Sequence, residues 1–301
     1  MELLRIIGAA RSPFLDTVFS LITKLGEEII VILVLCAIFW CIDKKLAYCM
    51  GISYFLSGLL VQGLKINFRI DRPWILDKNF KPVESAIKNA SGYSFPSGHT
   101  QSAGTLFGTL GFSLKNKWCK AVCFAIALLV GFSRMYLGVH TLLDVGVSLI
   151  LSLLIALFCV MVFNKDEQKT SKNLIMLPLL LTLAAIGVCV MAFVIFSSGA
   201  IGESYVIDCL KSAGAGIGFA VGMYIEKKYI VFSVKSKNFL IHVLKYVLGI
   251  AGVLVIKEGL KLIIGTGPAV DLCRYMLLGL WMTAIYPLVI KKVFALKETA
   301  E

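Results

Sequence analysis

"SGYSFPSGHTQSA", residues 91–103, sits between two long apolar runs, and the way it enters the second decides the fold. Pro96 suits the entry to a helix, where its missing N–H costs nothing. Ser97 and its neighbours then offer N–H groups and the positive end of the dipole at a helix start, and Gly98 allows other atoms to approach the backbone. The stretch reads as the mouth of a helix over about residues 98–113, short and rich in glycine and serine. Such a helix either gains length from residues beyond its ends or lies buried among its neighbours.

Outward from this mouth the chain has the composition of a membrane protein. Of its 301 residues 58% are hydrophobic and 16% charged, with a mean hydropathy of +0.88, far outside the range of a soluble domain with one buried core. Runs long enough to cross about 30 Å of hydrocarbon fall near 26–42, 46–66, 98–113, 118–137, 141–163, 173–197, 206–225, 239–263 and 270–290. The expected fold is therefore all-α, a polytopic transmembrane helical bundle of eight or nine spans. Residues 1–25 show a charged, broken pattern with no cleavage-like site behind a clean apolar core, so an interfacial helix is expected there and not a removable signal. The nine cysteines are scattered without paired spacing, which suits small buried hydrophobes and gives no metal or disulfide framework; no cofactor is expected. The net charge of +12 is dispersed over short loops, leaving no soluble basic domain for nucleic acid.

Lys and Arg in short loops tend to stay cytoplasmic. One alternating set of loops holds Lys44 and Lys45, then Lys115, Lys117 and Lys120, then Lys165, Lys169 and Lys172, then Lys227, Lys228, Lys235 and Lys237, and finally Lys291 and Lys292. The opposite set includes "SSGAIGES" (197–204) and "GTGPAVD" (265–271), neither with a Lys or Arg. The loop from 64 to 97 breaks the rule: it falls outside yet carries Lys65, Arg69, Arg72, Lys78, Lys81 and Lys88. A basic cluster on that side calls for a functional explanation.

Three polar stretches share that outer face: "KINFRIDRP" (65–73), "PSGH" (96–99) and "SRMYLGVHTLLD" (133–144). Together they place Lys65, Arg72, Arg134, two histidines and Asp144 at one side of the membrane, which makes an anion site. Lys65, Arg72 and Arg134 supply charge and N–H donors suited to phosphate oxygens, the arginines bidentately. His140 and Asp144 lie four apart at a helix start and share a face. A carboxylate on one ring nitrogen fixes the tautomer and strengthens the other as a nucleophile. His99 is then the natural acid for a departing alkoxide. Single histidines at helix ends are more often structural, and lone basic residues there often anchor to lipid phosphates; Arg69, outside every motif, is read as such an anchor.

The spacing Lys65-(six residues)-Arg72-Pro73, then Pro96-Ser97-Gly98-His99, then Ser133-Arg134-(five residues)-His140-(three residues)-Asp144 resembles the three signature motifs of the type 2 phosphatidic acid phosphatase superfamily, with every position matched in order. The resemblance implies a metal-independent phosphomonoesterase or diphosphatase that works through a phosphohistidine. It implies that His140 attacks phosphorus, that Asp144 orients it, and that His99 protonates the leaving oxygen and later activates water. Lys65, Arg72, Ser97, Gly98 and Arg134 would hold the phosphoryl oxygens.

A six-helix phosphatase core is expected over residues 1–165, and residues 166–301 are expected to add about three transmembrane helices of undetermined role: walling the cleft, forming a homodimer, or moving a lipid. Within them "KEGLK" (Lys257, Glu258, Lys261), with Asp208, Lys211, Asp271 and Arg274, lies on the outer side, read either as structural pairing or as substrate recognition. Gly214, Gly218 and Gly222, four apart inside an apolar span with no preceding strand, read as close helix packing and not as a nucleotide loop. The expected activity is that of an integral membrane enzyme, with the site extracytoplasmic and the plasma membrane the expected location. Candidate substrates are phosphatidic or lysophosphatidic acid, phosphatidylglycerophosphate, a sphingoid-base phosphate or a polyisoprenyl diphosphate. A phosphotransferase using an acceptor alcohol and a non-catalytic lipid transporter are the rival readings.

Overall fold

The computed structural model describes residues 1–87, 90, 92–164, 170–236 and 238–294; Lys88, Lys165, Lys169 and Lys237 lie outside them. Two short helices open the chain, α1 (Glu2–Ala9) and α2 (Pro13–Lys24), followed by α3 (Glu28–Cys41) and α4 (Lys44–Phe68). Single turns α5 (Pro73–Leu76) and α6 (Glu84–Ile87) interrupt the loop to α7 (Gly98–Ser113), α8 (Lys117–Tyr136) and α9 (Leu142–Asn164). Beyond come α10 (Thr170–Ser197), α11 (Glu203–Ile225), α12 (Phe239–Leu254), α13 (Leu260–Ile264), α14 (Pro268–Leu280) and α15 (Tyr286–Val289), several of them joined through π-helical turns. Strands are absent among the described residues. This is an all-helical polytopic membrane protein: seven helices among those residues are long and apolar enough to cross a bilayer. All nine expected runs are helical, but α3 and α7 are shorter than a full crossing.

The ends of these helices follow from local chemistry. Asn116 caps α8 by accepting from Trp118 N (2.8 Å) and Cys119 N (3.3 Å), and Ser12 with Pro13 starts α2. The expectation of one interfacial helix at the start is revised to two helices, α1 and α2, both packed against α8.

By contact the chain falls into two compact units, one of residues 1–31 and 60–160, the other of 32–59 and 161–301. In the first, α7 takes the buried alternative. Its residues from Thr100 to Gly111 are nearly all enclosed, because glycines let α9 press in: a Cβ on Gly104 would lie 2.1 Å from Ser152 Oγ, and one on Gly108 2.7 Å from Leu153 Cδ2. A short helix that never meets lipid need not span it. The loop leading to α7 is pinned as well, with Ser94 N donating to Ile70 O (2.7 Å) and Val83 N to Leu137 O (3.0 Å).

In the second unit α11 packs on α10 and α14. The glycine stripe is the reason α14 comes so near. A Cβ at Gly214 would sit 2.3 Å from Leu272 O, at Gly218 2.1 Å from Met276 O, and at Gly222 2.0 Å from Thr283 Oγ1. Below it, buried Glu226 accepts from Lys44 Nζ (2.8 Å), from Phe232 N (3.1 Å) and, at short range, from the Tyr48 hydroxyl. All nine cysteines are free.

Candidate active site

Within the first unit, four chain segments converge. The C-terminal turn of α4 carries Lys65, the following loop carries Arg72 and Ser94, the mouth of α7 carries Ser97, Gly98 and His99, and the α8–α9 corner carries Arg134 in the last turn of α8, His140 between the helices and Asp144 in the first turn of α9. The α7 mouth is built as its sequence suggests. Ser97 caps the helix, accepting from Thr100 N (3.4 Å) and Thr100 Oγ1 (2.9 Å). It is also tied to the opposite wall: Ser97 N donates to Asp144 O (3.1 Å) and Ser148 Oγ donates to Ser97 O (2.6 Å). Lys65 borders this mouth: a Cβ at Gly98 would make an ordinary contact, 3.8 Å, with Lys65 Nζ.

His140 and Asp144 are each 1% exposed. Arg72 Nη1 lies 2.8 Å from His140 Nε2. A guanidinium can only donate, so Nε2 accepts and the ring proton sits on Nδ1, which is 3.5 Å from Asp144 Oδ2. That carboxylate is itself held by Thr141 N (2.7 Å) and Ser94 Oγ (2.6 Å). Ser94 Oγ also stands 3.5 Å from His140 Nδ1. Burial first, then the positive charge of Arg72, Arg134 and Lys65, pushes the His140 imidazole well below its usual 6.5. The result is a neutral ring with a fixed tautomer and a lone pair on Nε2, facing cations.

The cations are arranged unequally. Arg72 is 4% exposed and is steadied by backbone, donating to Val139 O (3.0 Å) and Gly92 O (2.9 Å). Arg134 is 1% exposed; among the described residues its Nη1 donates to Thr23 Oγ1 (2.9 Å), while its Nε has no hydrogen-bond partner and no carboxylate lies in ion-pair range. His99 Nε2 likewise has no hydrogen-bond partner among them. A buried guanidinium with no carboxylate in ion-pair range is costly, and an anion with several oxygens would satisfy it.

All eight candidate residues thus come together, and Arg69 stands apart, exposed at the end of α4 with φ 51°. Two contributors were not read from the sequence. Ser94, two positions before the motif proline, holds Asp144; its nearness to "PSGH" was the available signal. Thr23, on α2, holds Arg134, and Gly26 packs so tightly that a Cβ would lie 2.5 Å from His99 O. Nothing in the sequence pointed from residue 23 to residue 134.

The family model described as PAP2 superfamily matches residues 45–168, and that described as PAP2 superfamily phosphatase, transmembrane extension, matches residues 210–298. Phosphatidylglycerophosphatase B of Bacillus subtilis (strain 168) is 28% identical over 153 residues, which cover 45% of this chain and 68% of that protein. Among solved structures, a transmembrane PAP2 type phosphatidylglycerolphosphate phosphatase from Bacillus subtilis is 26% identical, covering 56% of this chain and 85% of its own, with a TM-score of 0.47. LpxE of Aquifex aeolicus is 31% identical, covering 55% of this chain and 93% of its own, with a TM-score of 0.44.

Proposed function

We propose that this chain, which belongs to the PAP2 superfamily, removes a phosphate from a membrane lipid through a phosphohistidine on His140. The observation that carries the reading is the state of His140: Nδ1–H is turned toward Asp144 and the Nε2 lone pair lies 2.8 Å from Arg72. When a phosphoryl group enters, Arg72 exchanges nitrogen for oxygen and Nε2 attacks phosphorus in line. The N–P bond forms as the bond from phosphorus to the lipid oxygen breaks, and His99 gives its proton to that oxygen. Water then attacks the phosphohistidine, returns a proton to His99 and releases inorganic phosphate. Lys65, Arg72 and Arg134, with the Ser97 hydroxyl and the N–H of Gly98, stabilise the charge on the equatorial oxygens. These cations supply the charge neutralisation that a metal provides elsewhere, so the reaction is proposed to run without one.

The catalytic core is proposed to be residues 1–165, with residues 166–301 as an extension. The substrate tail stays in the bilayer while its head group enters from the extracytoplasmic side of the plasma membrane. Because phosphatidylglycerophosphate stands in the name of the similar Bacillus subtilis phosphatase, that lipid is the first to test. The experiment is phosphate release by the purified protein in detergent over a panel of lipid monophosphates and diphosphates, with EDTA present. Selective release is expected, and acceptor alcohols should leave its rate unchanged. Strong inhibition by EDTA would reject the metal-free step, and turnover only with an added alcohol would turn the reading to a phosphotransferase.

A further inference from the structure

Far from His140 in sequence, and wholly inside the second unit, seven charged residues of the extension meet. The first turns of α11 bring Asp208 and Lys211, the turns from Val255 to Ile264 bring Lys257, Glu258 and Lys261, and α14 brings Asp271 and Arg274, all lining one cavity of about 250 Å3. Its floor is an ion pair: Arg274 and Asp271 are almost fully buried and in close contact, and Arg274 Nη1 donates to Lys257 O (2.6 Å). Arg274 Nε, on that floor, has no hydrogen-bond partner among the described residues.

The rim differs from the floor. Asp208 and Lys211 face each other at 3.5 Å with side chains 48% and 30% exposed, a contact that contributes little to stability. Lys257 and Lys261 are one turn apart and line the same cavity, with Glu258 beside them. The rim therefore carries three lysines against Asp208 and Glu258. Directly after Lys261, Leu262 is 87% and Ile263 79% exposed. Apolar side chains so bare at the end of a spanning helix are covered by lipid. A basic cavity bordered by an acyl-facing edge suits a molecule with an anionic head and a hydrocarbon tail, more than it suits a free solute.

We propose that this cavity binds the head group of a phospholipid, its phosphate on Lys257, Lys261 and Lys211 and a hydroxyl or ammonium substituent on Glu258 and Asp208. Its lining shares no residue with those proposed for catalysis, and it stands whether or not His140 is a nucleophile.

The test is photo-crosslinking of the full-length protein in detergent with a phosphatidylglycerol that carries a photoactivatable head group, the adducts being mapped by peptide mass spectrometry. Adducts are expected on residues 257–275. Lys257→Gln with Lys261→Gln should lower their yield at least about tenfold, each charge-assisted contact being worth about that factor, while Lys257→Arg with Lys261→Arg keeps it. Excess unlabelled phosphatidylglycerol should compete, and inorganic phosphate at the same concentration should not. Absence of adducts there in the unaltered protein, equal yield from the glutamine variant, or loss in the arginine variant as well would overturn the proposal. Competition by inorganic phosphate alone would overturn the lipid and leave a phosphate site. Because the readout is confined to these peptides, failure of the phosphatase reading, seen at His140, would register separately.

Discussion

Asp144 does two things at once, accepting from the Thr141 backbone and from Ser94 Oγ while facing the protonated nitrogen of His140. Ser94→Ala should remove one of these holds and loosen the orientation of the imidazole without touching the cations. The expected outcome is a fall in kcat of about tenfold, the worth of one buried hydrogen bond, with KM nearly unchanged; steady-state kinetics separates the two. The protonation of His140 gives a second prediction. The neutral ring is the reactive form, and burial with neighbouring cations holds its proton affinity well below 6.5. As pH falls through 6.5 the ring stays neutral, so kcat/KM should show no half-loss at that pH from His140 and should decline only further into acid. A pH–rate profile with a single acid limb at 6.5 that disappears in no other variant would contradict this. The eight candidate residues were legible from residue type and from the resemblance of three local motifs, each a short stretch of chain at helix ends. Ser94 and Thr23 could not, because their partners are set by packing across tens of residues of chain.

At the scale of elements, closeness of backbone is what the glycines supply. Gly218→Leu would force a side chain into a space where even a Cβ meets Met276 O at 2.1 Å. The α11–α14 contact should lose about 1–3 kcal/mol, the usual cost of overpacking, visible as a lower melting temperature in detergent. Glu226 is a different case. Its carboxylate is buried with Lys44, Tyr48 and the Phe232 N–H. Glu226→Ala should cost about 3 kcal/mol, the lower end for a broken buried pair, because the Lys44 side chain is 25% exposed and regains some water. The glycine interval was legible as packing before any coordinates, since small residues four apart mark one face. The pairing of residue 44 with residue 226 was not, and neither was the choice between a long and a buried α7, which hydropathy left open and burial decided.

Across the whole molecule, composition and hydropathy were enough to place a polytopic helical membrane protein, because the bilayer leaves a chain this apolar few other solutions. The division into contact units was not legible. It falls inside α3, α4 and α9, so that residues 32–59 group with the extension, and no composition change marks those points. Topology grouped the charges from residues 208 to 274 on one side, as pairing or recognition, but their convergence into one cavity is set by packing and was not legible. What joins these scales is the proposed covalent step, in which three buried or half-buried cations, a held carboxylate and two histidines serve one phosphorus atom. The most direct measurement is a rapid alkaline quench of the protein during turnover of a radiolabelled lipid phosphate, followed by peptide mapping. The account predicts an acid-labile phosphoryl group on His140, absent in His140→Ala, which should also release no phosphate. Release at the normal rate with no label on His140, or with turnover retained in His140→Ala, would contradict it.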